Sequence, residues 1–128
     1  MAFIFRHWVW GLLASALVSA LAVQTLEAAS LDREAAKVFR KIGISAEQAD
    51  AYSKLYDDFL RSRASQVRRE MKNRTGSELP VMAKKKAQRA ARKSVKKMRA
   101  VLSELQLKYY EEYLDLANQI FLRDAGLR

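Results

Sequence analysis

Cysteine is missing from this chain of 128 residues, and with it go disulfide staples, thiol nucleophiles, redox pairs and thiolate metal sites. Histidine is nearly missing too. The one imidazole, His7, sits in the N-terminal apolar segment, so the rest of the chain has neither the commonest general base nor the commonest zinc ligand. No Gly-rich phosphate loop, nucleophile elbow or acidic loop with cation-ligand spacing is present. The adjacent acids Asp57-Asp58 and Glu111-Glu112 would point to different sides of a helix, which suits solvation or ion pairing better than acid-base catalysis. The expectation is a protein that is not an enzyme and needs no cofactor or metal. Turn formers are scarce as well, with four glycines and the single Pro80, and a chain so rich in Ala, Leu, Lys, Arg, Glu and Gln should be nearly all helix.

The N-terminus reads as a secretory leader. Arg6 and His7 form a short head before an apolar run of 16 residues from Trp8 to Val23, which is short of the roughly 20 needed to span a bilayer. Cleavage after Ala22 or after Ala28 fits the small-residue rule. Residues 1–28 are therefore expected to be a signal peptide and 29–128 a single helical domain outside the cytoplasm, in the periplasm; an uncleaved membrane anchor is the alternative and places the domain on the same side.

Charge is abundant but uneven. The chain has 24 Lys and Arg against 14 Asp and Glu, a net +10. Between Arg61 and Arg99 fifteen basic residues face only Glu70 and Glu78, a net +13, so the flanks carry −3. Such a layout implies a positive surface meeting something acidic. Within it, Lys84 to Arg99 holds nine cations and no acid, a run that repels itself at helical spacing unless a partner compensates.

Apolar spacing predicts four helices. Leu31, Ala35, Val38, Phe39 and Ile42 mark a short first helix, closed by Gly43 as a left-handed cap. Ala49, Tyr52, Tyr56, Phe59, Arg63, Val67 and Met71 trace a stripe on a long second helix, which turns basic at Arg63. A loop from Asn73 to Pro80 follows, with Ser77 available to start the next helix. The third helix, from about Pro80 to Ala100, has a narrow stripe of Ala83, Ala87, Ala90, Ala91, Val95 and Met98; the fourth, from Glu104 to about Asp124, presents Tyr110, Tyr113, Leu114, Ala117, Ile120 and Phe121.

Two helix starts repeat with an offset of 58: Ile44-Ser45-Ala46-Glu47-Gln48 before Tyr52, and Leu102-Ser103-Glu104-Leu105-Gln106 before Tyr110. In each, Ser caps the backbone N–H at the third helical position and Gln reaches back to the N–H of Ser, satisfying two donors that a helix end leaves orphaned. The aliphatic residue before each Ser is placed for a hydrophobic staple, with Leu102 to Leu107 the better of the two.

On these motifs the sequence resembles the Spy/CpxP family of periplasmic proteins, whose hallmark is two Leu-Thr-x-x-Gln motifs, each opening a helix. Both copies here have Ser for Thr, and the first has Ile44 for Leu. The resemblance implies an all-α fold with long, bent second and third helices, a cradle-shaped antiparallel homodimer and a positive concave face with apolar patches. It also implies ATP-independent chaperoning, regulation of an envelope-stress sensor, or a metal-resistance role; a chain without Cys or a His beyond the leader does not suit the last.

The expected function is binding of unfolded or acidic envelope proteins. Arg61, Arg68, Arg69, Lys72, Lys85, Arg89, Arg92 and Lys96 would steer them by long-range attraction, and Leu79, Val81 and Met82, beside the loop, would add apolar contact, Met being suited to promiscuous surfaces. Alternatives are a single acidic partner, such as a sensor domain, and anionic lipid or lipopolysaccharide met by a basic helix with a small apolar stripe. Nucleic acid would bind in a test tube, but an exported chain meets no chromosome.

Overall fold

The computed structural model describes residues 18–127, with side chains from Ala28 onward. Arg6, His7 and most of the apolar run lie outside the described residues. Four helices follow one another: α1 (Val18–Ile42), α2 (Ala49–Asn73), α3 (Glu78–Met98) and α4 (Glu104–Asp124). α3 packs against α2 and against α4, and α1 packs against α4. Successive helices reverse direction. α2 and α4 consequently run parallel, and they are bridged by side chains such as Tyr56 with Tyr113 and Arg63 with Asn118.

Helix α1 begins well before the expected Leu31, because Val18 to Ser30 contains no Gly or Pro to break it. It passes through both Ala22 and Ala28 and stops at Gly43, whose φ of 62° is the left-handed cap geometry that a side chain would strain. Ala35, Val38 and Ile42 are buried as the pattern required, while Phe39 stays 40% exposed at the edge of the α1, α2 and α4 contact. No helix among the described residues is long and apolar enough to cross a membrane.

On α2 the inward residues are Tyr52, Phe59, Arg63, Val67 and Glu70; Ala49 and Met71 are exposed. A spacing of four residues advances about 40° per step, so a stripe read in fours rotates off the buried face by Met71 and brings Glu70 in. The loop then ends at Glu78, two residues before the expected start. Ser77 makes no side-chain cap. Its backbone is helical rather than extended, and the residue at the third helical position is Pro80, which has no N–H to give.

α3 buries Ala83, Ala87, Ala90, Ser94 and Met98, and α4 buries Leu107, Tyr110, Leu114, Asn118 and Leu122. Small residues along α3 let it lie between α2 and α4. Val95 is half-buried against the large cluster, and Ser94 lies deeper, its hydroxyl hydrogen-bonded with the Tyr110 hydroxyl at 2.6 Å. One large apolar cluster joins Ile42, Tyr52, Phe59, Met98, Leu102, Leu107, Tyr110 and Leu114; a small one at the far end joins Val67, Ala83, Leu122 and Leu127.

Candidate functional site

The repeated motifs meet each other. Ser45 accepts from the Gln48 backbone N–H at 3.2 Å and its own N–H donates to Gln48 Oε1 at 3.0 Å; Ser103 and Gln106 do the same at 3.3 and 3.0 Å. Those serine N–H groups fix the orientation of both amides, turning each Nε2 toward the other motif. Gln48 Nε2 then donates to Gln106 Oε1 at 2.9 Å and to the Val101 carbonyl at 2.9 Å. In return Gln106 Nε2 donates to Gln48 Oε1 at 3.0 Å and to the carbonyls of Ile42 and Gly43 at 3.0 and 3.2 Å. The last carbonyls of α1 and the α3–α4 turn thus receive donors from helices 58 residues apart in pattern. The copies differ in one respect. In the second, Ser103 is the extended N-cap of α4; in the first, a tight turn with Gln48 N–H donating to the Ser45 carbonyl at 3.1 Å delays α2 until Ala49. Leu102 and Leu107 are buried in the large cluster, Ile44 is half-buried against it, and Ala49 is exposed.

This knot holds the turn that follows α3, the helix that carries the charge. Lys85, Arg89, Arg92 and Lys96 are all exposed, and their spacing of four, three and four places them on one strip about 16 Å long. Arg61, Arg68 and Lys72 are exposed on a common strip of α2, with Arg69 exposed beside it. Of these eight residues only Arg61 pairs with a carboxylate among the described residues, Asp58 of its own helix at 3.3 Å. Along α3 and the residue after it, only Lys86 has such a partner, Glu70 at 3.8 Å. The apolar candidates divide: Leu79 packs on the small cluster, Met82 is half-buried, and Val81 is 55% exposed.

Behind the charged face lies a polar element that apolar patterning alone does not distinguish. Arg63 is 8% exposed and has no carboxylate partner among the described residues. Its Nη1 donates to Asn118 Oδ1 at 3.2 Å and to the Ala117 carbonyl at 3.3 Å, and its guanidinium lies 4.1 Å from the Phe121 ring and 4.9 Å from the Phe59 ring. Burial pushes the guanidinium below its ordinary value. Asn118 in turn donates to the Ala87 carbonyl at 3.1 Å, so one buried chain of polar contacts ties α2 to α4 and α4 to α3. Arg63 was visible in the sequence only as a cation on an apolar stripe, and Asn118 as a polar residue four after Leu114 on α4.

Among the described residues no group of three or more His, Cys, Asp or Glu gathers as a metal ion would require. Compared with protein-family models, with curated proteins and with solved structures, the chain matches none.

Proposed function

We propose that this chain is an ATP-independent periplasmic chaperone or envelope-stress accessory that binds unfolded or acidic proteins through its basic helical surface and performs no chemistry on them. The observation that carries the reading is α3 with the residue after it: nine cations from Lys84 to Arg99, eight of them without a carboxylate partner among the described residues. Like charges at three- and four-residue spacing destabilise a helix, and long-range attraction of an acidic partner is the gain that offsets this. The twin Ser-x-x-Gln motifs support the same reading through their resemblance to the Spy/CpxP pattern, which adds an antiparallel homodimer to the proposal.

Reversing charge on the exposed strip tests it. The triple variant Arg89→Glu, Arg92→Glu, Lys96→Glu should keep wild-type helicity and slow capture of an acidic unfolded client about tenfold or more at low salt, with the difference shrinking as salt rises. Capture rates that match wild type at low salt would remove electrostatic steering from the account. Breadth decides between chaperone and single-partner regulator: suppression of aggregation for several unrelated clients without nucleotide supports the former, and activity toward one acidic sensor domain alone supports the latter.

A further inference from the structure

We propose that the groove between the first half of α3 and the second half of α4 is a second binding site, without net charge, that takes an apolar stretch of extended polypeptide. The proposal rests on the chaperone reading and names where such a protein holds its client after the charged strip has attracted it. The groove has a volume of about 510 Å³, within the roughly 300–1,000 Å³ of ligand sites. Leu122 and Leu127 line it from the small cluster, and Val81 borders it at 55% exposure. Leu127 is held there by the turn that ends α4: Gly126 has a φ of 72°, and the Leu127 N–H donates to the Leu122 carbonyl at 2.8 Å.

Charge around the groove selects the occupant. Lys84 stands on the α3 side and Asp115 on the α4 side, so the lining is balanced, and a phosphate or carboxylate entering it would meet a carboxylate as well as an ammonium. That disfavours an anionic lipid headgroup or a nucleic acid. Each side also carries one primary amide, Gln88 and Gln119, and Gln119 is held by a 3.2 Å bond from its Nε2 to Asp115 Oδ2, which keeps its carbonyl oxygen free to accept. Apolar lining between two amides matches a main chain, whose N–H and C=O groups alternate with side chains, better than it matches a bare hydrocarbon. By helical spacing the groove residues of α3 lie about a quarter turn from the Lys85, Arg89, Arg92 and Lys96 strip. One helix therefore presents an attracting face and a holding face side by side.

The test uses the purified protein and a fluorescently labelled peptide of alternating leucine and serine with blocked, uncharged ends, followed by anisotropy at low and high salt. The wild type should bind it with an affinity that salt does not reduce. Val81→Glu and Val81→Trp, at an exposed position that leaves the fold intact, should each weaken binding about tenfold, one by adding charge and the other by filling the groove. The triple charge reversal on the α3 strip should leave this affinity unchanged. Absence of peptide binding, unchanged binding in both Val81 variants, or binding that salt abolishes overturns the groove as a site. If the groove binds as expected but the protein protects no client from aggregation, the groove stands and the chaperone reading falls; if it protects clients but the peptide does not bind, the reverse holds.

Discussion

Two tyrosines at equivalent places in the repeated motifs have opposite fortunes. Tyr110 gives or receives a 2.6 Å hydrogen bond with Ser94, whereas Tyr52, 58 residues earlier, has a buried hydroxyl with no partner among the described residues. The cause is the asymmetry of the helices around them: α3 packs along α4 and brings Ser94 to Tyr110, while α1 packs on α4 and does not close along α2. Their Tyr→Phe substitutions should therefore differ in sign. Tyr52→Phe removes an unsatisfied buried polar atom and should leave stability unchanged or raise it by up to about 1 kcal/mol, while Tyr110→Phe orphans Ser94 and should cost about 1–3 kcal/mol; urea midpoints of the two variants decide it, and equal losses would contradict the account. Arg63 poses a related question, whether its charge or its stem stabilises. A buried cation that has neither a carboxylate nor a partner for its Nε among the described residues carries a desolvation cost that its two acceptors and two ring faces offset only in part. Arg63→Ala should lose about 2–4 kcal/mol through the void and the abandoned Asn118 oxygen, and Arg63→Met, which keeps the stem, should lose less than half as much in the same unfolding measurement.

At the scale of the helix, the sequence announced the capping boxes but not their junction. Cap chemistry is local, so Ser45, Gln48, Ser103 and Gln106 could be read from spacing alone, and Gly43 likewise from its place after Ile42. That the two glutamine amides would bond each other depends on the turn after α1 meeting the turn after α3, which no local pattern encodes. The same division holds along the stripes. Leu114 and Val67 fell where periodicity put them, whereas Glu70 and Ser94 entered the interior because Arg74 with Lys86, and Tyr110, were there to satisfy them. The exposed cations were legible because charged side chains stay in water without help; the groove was not, since it needs α3 and α4 in contact before Val81 and Leu122 can share a surface. The amide pair gives a direct test. Replacing Gln48 or Gln106 by Ala should cost more than the roughly 1 kcal/mol of an ordinary cap, and the double variant should cost less than the sum of the two, with a coupling of about 1 kcal/mol or more. Strict additivity in denaturant unfolding would mean that the two boxes act separately.

Over the whole molecule, the aromatic side chains of α1, α2 and α4 form one continuous patch, and it ties stability to pH on the alkaline side. Tyr52 stacks on Tyr56 at 5.8 Å and meets Tyr110 edge-on at 5.7 Å, Phe39 lies 5.3 Å from Tyr113, and the Tyr56 and Tyr113 hydroxyls are 3.4 Å apart. Burial pushes Tyr110 up to about 12 despite the opposing Ser94 bond, with the Tyr113 phenol adding to it. Burial drives Tyr52 and Tyr56 further in the same direction, aided for Tyr56 by its bond to Tyr113. An unfolded tyrosine titrates near about 10. The fold therefore favours the neutral phenol, the unfolded chain gives up its protons first, and the stabilisation from this patch is whole below pH ~10 and is lost as pH climbs through ~12. Denaturant midpoints should hold level up to about pH 9 and fall steeply above pH ~10, with the phenolates of Tyr52, Tyr56 and Tyr110, followed one by one through their assigned ring NMR signals, forming together with unfolding rather than ahead of it. Tyr52→Phe should shallow that fall while leaving the neutral-pH midpoint unchanged or slightly higher. Phenolate that forms at Tyr52, Tyr56 or Tyr110 in the folded protein at the ordinary pH of an exposed tyrosine would show that these three rings are not shielded, and would take with it the packing of α1 and α2 against α4 on which the placement of the basic face depends.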